Sequence, residues 1–375
     1  MIILVAGDWV PRYRTAVQIE NGDYSCMEEA KPIIRSADYA IVNFEAPVVM
    51  HKAIPILKTG PNLRCSNKAM ECVAQAGFSC VTLANNHFRD FGQLGVEDTL
   101  QACTSYNVDY VGGGKNINEA ERFLCKSING QQLAIINVCE NEWSIASDKS
   151  GGSAPLDPIR IYYRIREARK VADFVLVIVH GGIEGYQYPT PRMQETYRFF
   201  VDAGADAVVN HHQHCYSGYE VYHKKPIFYG LGNFCFDKRT SRTDRMWEEG
   251  FMVRLHFSDK IDFELFPYSQ CDEKGPSIKI LSDKKCFNDS IRRINSVIEN
   301  ENQVRKQFEQ RGTIGKRNAD SILIPYESSF FRKLYAKRLF PSFVTDNRRR
   351  RLQAYVQCES HRETLLLGLK SINNK

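Results

Sequence analysis

The chain reads as an α/β protein built on a covered, largely parallel sheet. Three observations predict this. Short apolar segments alternate with stretches of helical period along most of the chain. The apolar segments are near-continuous rather than alternating, as expected of strands buried on both faces. Polar residues gather directly after several of them, at the C-terminal edge where wound α/β sheets build their sites.

The elements follow in order. Residues 2–6 form a first strand ending at Gly7-Asp8, and residues 26–36 read as a helix. Residues 38–42 form a second strand running into Asn43-Phe44-Glu45-Ala46-Pro47. A helix over 67–76 is closed by Gly77, the residue type that tolerates a left-handed C-terminal turn. Cys80–Ala84 is a third strand ending in Asn85-Asn86-His87, followed by a helix over 94–106 and a strand over 108–111. Gly112-Gly113-Gly114 lacks the spacing of a dinucleotide fingerprint and is read as a turn. Further strands cover 133–138 and 174–179, the latter ending in His180-Gly181-Gly182, with helices over 158–172 and 192–203. Ala207-Val208-Val209 then leads into His211, His212 and His214. Past residue 218 short strands follow closely on one another and are expected to pair antiparallel. From 287 onward the pattern is helical and charged, with expected helices over 341–356 and 359–372, so the expected boundaries are a domain at 1–285 and a helical, basic extension at 286–375.

Bulk properties exclude several classes. A chain of 375 residues, 43% hydrophobic and 25% charged, can bury a sizeable core and is not a disordered tail. A net charge of +6 is too mild to predict nucleic-acid binding. The densest basic run, Arg348–Arg351, is read first as a solvated helix face and second as a weak peripheral contact with a membrane. The twelve cysteines contain no Cys-x-x-Cys pair and many lie in apolar runs, which predicts free thiols and a cytoplasmic setting. No apolar run reaches transmembrane length, and the first residues read as a core strand rather than a signal segment.

Five strand ends carry Asp8, Asn43 with Glu45, Asn86 with His87, His180, and His212 with His214. Carboxylates, amide oxygens and imidazoles together suit Mn, Fe or Zn, and a shared carboxylate suits two ions. On an extended strand His212 and His214 would point the same way, and His211 would alternate away to solvent or to a supporting position. The competing readings are a turn cap for Asp8, a loop-holding amide for Asn43 and a core imidazole for His180. His51, His223 and His256 lie off the strand ends and are read as structural, and Cys215 as packing.

These segments resemble the bacterial capsule-synthesis, or poly-γ-glutamate biosynthesis, family, which is similar to the calcineurin-like metallophosphoesterases. The matching motifs are Gly7-Asp8, Asn43-Phe44-Glu45-Ala46-Pro47, Ala84-Asn85-Asn86-His87 with Asp90 and Gly92, His180-Gly181-Gly182 with Glu184, His212-Gln213-His214, and Leu231-Gly232-Asn233-Phe234. They occur in the family's order over roughly residues 1–240. The resemblance implies a four-layer α/β/β/α metallophosphoesterase-like sandwich with a helical C-terminal extension. It implies one or two divalent ions: Asp8 and His214 on the first, Asn86, His180 and His212 on the second, and Glu45 bridging. His87 is implied as the acid for the leaving group, with Arg89 or Asp90 orienting His87 or substrate. Val10 stands where the superfamily's Asp-x-His motif has its histidine, which predicts a weaker first position.

The function this implies is metal-dependent hydrolysis in capsule or poly-γ-glutamate metabolism, by metal-hydroxide attack on a phosphoester. The substrate would be an anionic polymer or a phosphoester, and the partner the capsule-synthesis machinery. The alternatives are a γ-glutamyl or peptide amide hydrolase on the same metals, and a non-catalytic subunit of a polymer-synthesis complex.

Overall fold

A computed structural model describes residues 1–238, 244–312, 328–337, 339, 344–357 and 361. It divides into two units, Met1–Val304 and Arg305–Lys375.

The first unit holds two large sheets. In the seven-stranded sheet β1 (Ile2–Trp9), β2 (Tyr39–Phe44), β3 (Cys80–Thr82) and β4 (Asp109–Val111) run parallel. On the other side of β1 the sheet is extended antiparallel by β13 (Glu249–His256), β14 (Asp262–Asp272) and β15 (Gly275–Ile280). The six-stranded sheet has the order β11-β12-β10-β9-β7-β6. Its strands are β6 (Leu124–Ile128), β7 (Gln131–Cys139), β9 (Phe174–His180), β10 (Ala207–His211), β11 (Tyr219–Tyr222) and β12 (Lys225–Phe228). A two-residue pair, β5 (Gly113–Gly114) and β8 (Gly152–Ser153), lies apart from both.

Alternation along β1 shows how the layers stack. Ile3 and Val5 share a core with Leu133, Val175 and Val177 of the second sheet. Leu4 and Ala6 share the other core with Met70, Val73, Val96 and Leu100. Those four belong to α3 (Lys68–Ala76) and α4 (Gly92–Ser105), which cover the first sheet together with α1 (Tyr13–Glu20) and α2 (Lys31–Arg35). The outer face of the second sheet is covered by α6 (Pro158–Ala168), which follows the single-turn α5 (Ile117–Ala120), and by α7 (Pro191–Ala203). This is the four-layer sandwich the resemblance implied. Asp157 and Thr190 cap α6 and α7 with side-chain oxygens, each followed by proline at the first helical position. Gly77 and Gly204 end α3 and α7 with φ of 105° and 123°, as glycine permits.

Three expectations change. The helix expected over 26–36 is a 3₁₀ turn at Ser25–Met27 and then α2 from Lys31. Pro32 has no N–H to donate and its ring collides with the carbonyl four residues back, so it sits only in a first turn. Not all late strands pair antiparallel: β12 runs parallel to β10, between it and β11. The helix expected to open the extension, α9 (Lys285–Ile298), follows the single-turn α8 (Arg245–Glu248) and belongs to the first unit. Its Phe287, Ile291, Ile294 and Ile298 recur at helical spacing and are buried in the main core. The second unit contains helices Ser329–Ala336 and Asp346–Gln357, the latter carrying Arg348–Arg351. The helix expected over 359–372 lies outside the described residues.

Candidate metal centre

The site lies at the C-terminal ends of the parallel strands, where the sequence placed it. A bulge at Gly7 shifts the register of β1 so that Asp8 stands opposite Asn43. A Cβ at Gly7 would lie 2.0 Å from the carbonyl oxygen of Gly232, so only glycine allows this approach. Asn43 Nδ2 then donates to Asp8 Oδ1 at 2.7 Å and lies 3.2 Å from His180 Nδ1, while its Oδ1 accepts from Thr82. Asn43 therefore holds site side chains rather than a loop.

Around His180 the donors converge. Its Nε2 lies 3.1 Å from Asn86 Oδ1, 3.1 Å from His212 Nδ1 and 3.5 Å from Glu45 Oε1. On the other side of Glu45, His214 Nε2 lies 3.7 Å from Oε1, and His214 Nδ1 lies 3.5 Å from Asp8 Oδ2. Two groups able to hold a cation result, Glu45–His180–His212 and Asp8–Glu45–His214, and they share Glu45. Both Glu45 oxygens are fully buried with no hydrogen-bond partner. A buried carboxylate without a partner is costly unless a cation meets it. Imidazole, carboxylate and amide donors suit a divalent transition ion. The residues present fit such an ion, at both positions.

Next to these groups His87 Nδ1 donates to Asp90 Oδ2 at 2.6 Å. Lys58, whose side chain is only 3% exposed, pairs with Asp90 Oδ1 and has its ammonium 3.2 Å from His87 Nδ1. The chain around Lys58 is tied down by Asp90 as well: Ile56 N donates to its carbonyl and Leu63 N to its Oδ2. Glu142 stands on the outer side, 3.8 Å from His212 Nε2.

The structure thus brings eight of the residues singled out from the sequence to one place: Asp8, Glu45, Asn86, His87, Asp90, His180, His212 and His214. One local expectation is corrected. His212 and His214 are not on an extended strand, because β10 ends at His211 and both adopt positive φ, 89° and 53°. Left-handed turns, not strand alternation, aim them at Glu45. Of the two positions read for His211, the structure takes the supporting one: it is buried with Nδ1 3.3 Å from Asp8 Oδ1. Val10, in place of the missing histidine, is buried with Ala46, Leu63 and Phe236. Sequence reasoning missed Lys58, which sits in a stretch with no periodicity or motif to mark it. It also passed over Asn233, for which the Leu-Gly-Asn-Phe motif was a usable signal.

Burial sets the electrostatics. It pushes the Glu45 carboxyl well up. Burial opposes the charge on Asp8 too, but the imidazoles of His211 and His214, 3.3 and 3.5 Å away, hold that carboxyl well below its usual range. Burial lowers His87 and His180, and with the neighbouring His214 it lowers His212 to about 3. Burial also works against charge on His214, yet Glu45 and Asp8 raise it to about 9.

These shifts fix the pH dependence of the metal-free fold. His87, His180 and His212 bind protons more readily in the unfolded chain, so stability rises with pH up to their unfolded value of about 6.5. Glu45 acts oppositely from about 4.3 upward, joined over part of that range by Glu140 and Glu142, which burial also raises. Above about 6.5 the folded state holds the His214 proton that the unfolded chain loses, so stability falls toward pH 9. Urea unfolding of chelator-treated protein is expected to show stability falling from about pH 6.5 to pH 9; a curve flat over that range would contradict the raised His214 and Glu45.

The family model described as bacterial capsule synthesis protein PGA_cap matches residues 2–238. The chain is 34% identical over 236 residues to the capsule biosynthesis protein CapA of Bacillus anthracis, covering 61% of this chain and 56% of that one. It is 34% identical over 248 residues to the PGA biosynthesis protein CapA of Bacillus subtilis (strain 168), covering 65% and 64%. The chain therefore spans less than two thirds of the length of either relative. Among solved structures, a phosphatase from Mycoplasma pneumoniae aligns over 73% of this chain and 95% of its own, with a TM-score of 0.46 and 15% identity. With the family model covering the whole strand-end constellation, the chain belongs to the bacterial capsule synthesis protein PGA_cap family.

Proposed function

We propose that this chain is a metal-dependent hydrolase acting on a phosphoester in capsule or poly-γ-glutamate metabolism. The observation that carries the reading is Glu45, a partnerless buried carboxylate shared by two donor groups. Asp8 and His214 would hold one divalent ion, Asn86, His180 and His212 the other, and Glu45 both, with Mn, Fe or Zn as candidates. Such an ion supplies Lewis-acid polarisation and an activated water. Beside it, Asp90 takes the Nδ1 proton of His87 in a hydrogen bond, which leaves Nε2 to serve the leaving group. Asp90 is itself held by Lys58 and Leu63 N, so the imidazole is fixed in orientation.

Hydrolysis of a γ-glutamyl amide on the same ions is the second reading. Glu142, 3.8 Å from His212, disfavours a doubly charged phosphate more than an uncharged amide. The capsule-synthesis machinery is the proposed partner. The eleven free cysteines among the described residues suit a reducing compartment such as the cytoplasm. No helix among the described residues is long and apolar enough to cross a membrane.

The test is elemental analysis of the purified full chain, followed by assays with added Mn on a generic phosphodiester and on a γ-glutamyl anilide. We expect bound transition metal and phosphodiester hydrolysis. His212→Ala or His180→Ala should lower it by ~100-fold or more while circular dichroism is unchanged. Anilide cleavage alone selects the second reading. No metal and no hydrolysis of either compound sinks both and leaves a non-catalytic subunit.

A further inference from the structure

We propose that Asn233 is a positioning residue of this centre: it dictates which ring nitrogen of His214 carries the proton and so which one faces Glu45. The inference rests on the metal reading above, but part of its test does not.

Asn233 is fully buried, on a segment bound to the backbone on both sides of Asp8. Asp8 N donates to Gly232 O at 3.1 Å, and Phe234 N donates to Asp8 O at 2.7 Å. Its amide has three polar neighbours. The carbonyl oxygens of His214 and Trp247 each lie 3.2 Å from Nδ2. Carbonyl oxygens only accept, so both must be met by the NH₂ group. That leaves Oδ1, also a pure acceptor, 2.9 Å from His214 Nδ1. The imidazole must therefore donate from Nδ1.

The second nitrogen is then free for the cation. Nε2 of His214 is the atom 3.7 Å from Glu45 Oε1. The ring cannot readily turn over, because Phe236 and Trp247 flank it at 5.1 and 5.2 Å between ring centres. Its backbone is also held at a φ of 53°. A metal-bound imidazole commonly donates its other N–H to a fixed oxygen, and loss of that oxygen weakens metal affinity about 10–100-fold. Asn233 supplies that oxygen here. Asp8 Oδ2, 3.5 Å from the same Nδ1, reinforces the choice.

Two variants separate positioning from mere packing. Asn233→Leu removes the acceptor and the donors, whereas Asn233→Asp keeps the acceptor, removes the donors to the two carbonyls and adds a negative charge. Manganese and zinc affinity would be measured by titration calorimetry. Imidazole protons would be observed by ¹⁵N-edited NMR with and without metal. We expect a slowly exchanging Nδ1 proton on His214 in the parent and in Asn233→Asp, and markedly faster exchange in Asn233→Leu, where only Asp8 Oδ2 at 3.5 Å remains as acceptor. We expect metal affinity to fall about 10–100-fold in Asn233→Leu and to be largely retained in Asn233→Asp. Unchanged affinity in Asn233→Leu overturns the proposal, as does equal loss in both variants, which would make the carbonyl contacts the whole effect. If the parent itself binds no metal, the hydrolase reading fails. The exchange rate of the Nδ1 proton then decides the inference alone: fast exchange in the parent, or equally slow exchange in Asn233→Leu, overturns it.

Discussion

Glu45→Gln is expected to lose both metal positions and, without metal, to be more stable than the parent. Among the described residues Glu45 is the one donor common to the two cation-binding groups, so its loss reaches both. Loss of hydrolysis should be ~100-fold or greater, with metal content falling to background. The gain in stability has a separate cause. Burial drives the Glu45 carboxyl well up, because neither oxygen has a hydrogen-bond partner to offset desolvation. A neutral amide of the same shape costs less to bury than an ionised carboxylate, and a gain of about 1–3 kcal/mol at pH 8 follows. Urea unfolding of the chelator-treated pair at pH 5 and pH 8 checks this. The gain should be larger at pH 8, where keeping the Glu45 proton costs the folded parent more. A less stable variant at both pH values would mean that the attraction between Glu45 and His214 outweighs the cost of burying the carboxylate.

Lys58→Met should cost about 3–5 kcal/mol of stability, because it strands a buried carboxylate. Lys58 and Asp90 are both almost inaccessible, and Asp90 Oδ1 has the Lys58 ammonium as its partner. Asp90 Oδ2 keeps Leu63 N and His87, so the fold around His87 loosens without being lost. Adding Asp90→Asn should recover part of the loss, since neither half of the pair is then left alone. Thermal and urea unfolding of the four proteins close the cycle. A cost below about 1 kcal/mol for the single change would place the pair with ordinary surface ion pairs and detach Lys58 from the site.

Both predictions draw on residues that differ in how openly the sequence marked them. Glu45 follows an apolar strand inside an Asn-x-Glu motif and was legible at once. Asp8, Asn86 and His180 were legible for the same reason. A buried parallel strand writes itself as a run of apolar residues, and the polar residue that ends it has no core position to fill. Lys58 is different. It lies in a stretch of no regular period, and only the folded chain shows its ammonium turned inward to Asp90 rather than out to solvent. The helix over 26–36 failed for a local reason that Pro32 already announced. The place of α9 in the main core failed for a non-local one: its apolar face shows that something covers it, never what.

The sequence by itself determined the α/β class, the strand ends that carry donors, the family and the eight candidate residues. Those follow from periodicity and motif order, which are local properties of the chain. Only the tertiary structure decided how the donors meet. The left-handed turns at His212 and His214 replace the extended strand that alternation suggested. His211 turns inward onto Asp8. Asn233 comes from a separate segment to hold His214, and Lys58 from another to hold Asp90. Each of these depends on which distant segment packs against a strand end. That is set by the burial of two whole sheets against each other, which no short stretch of sequence records.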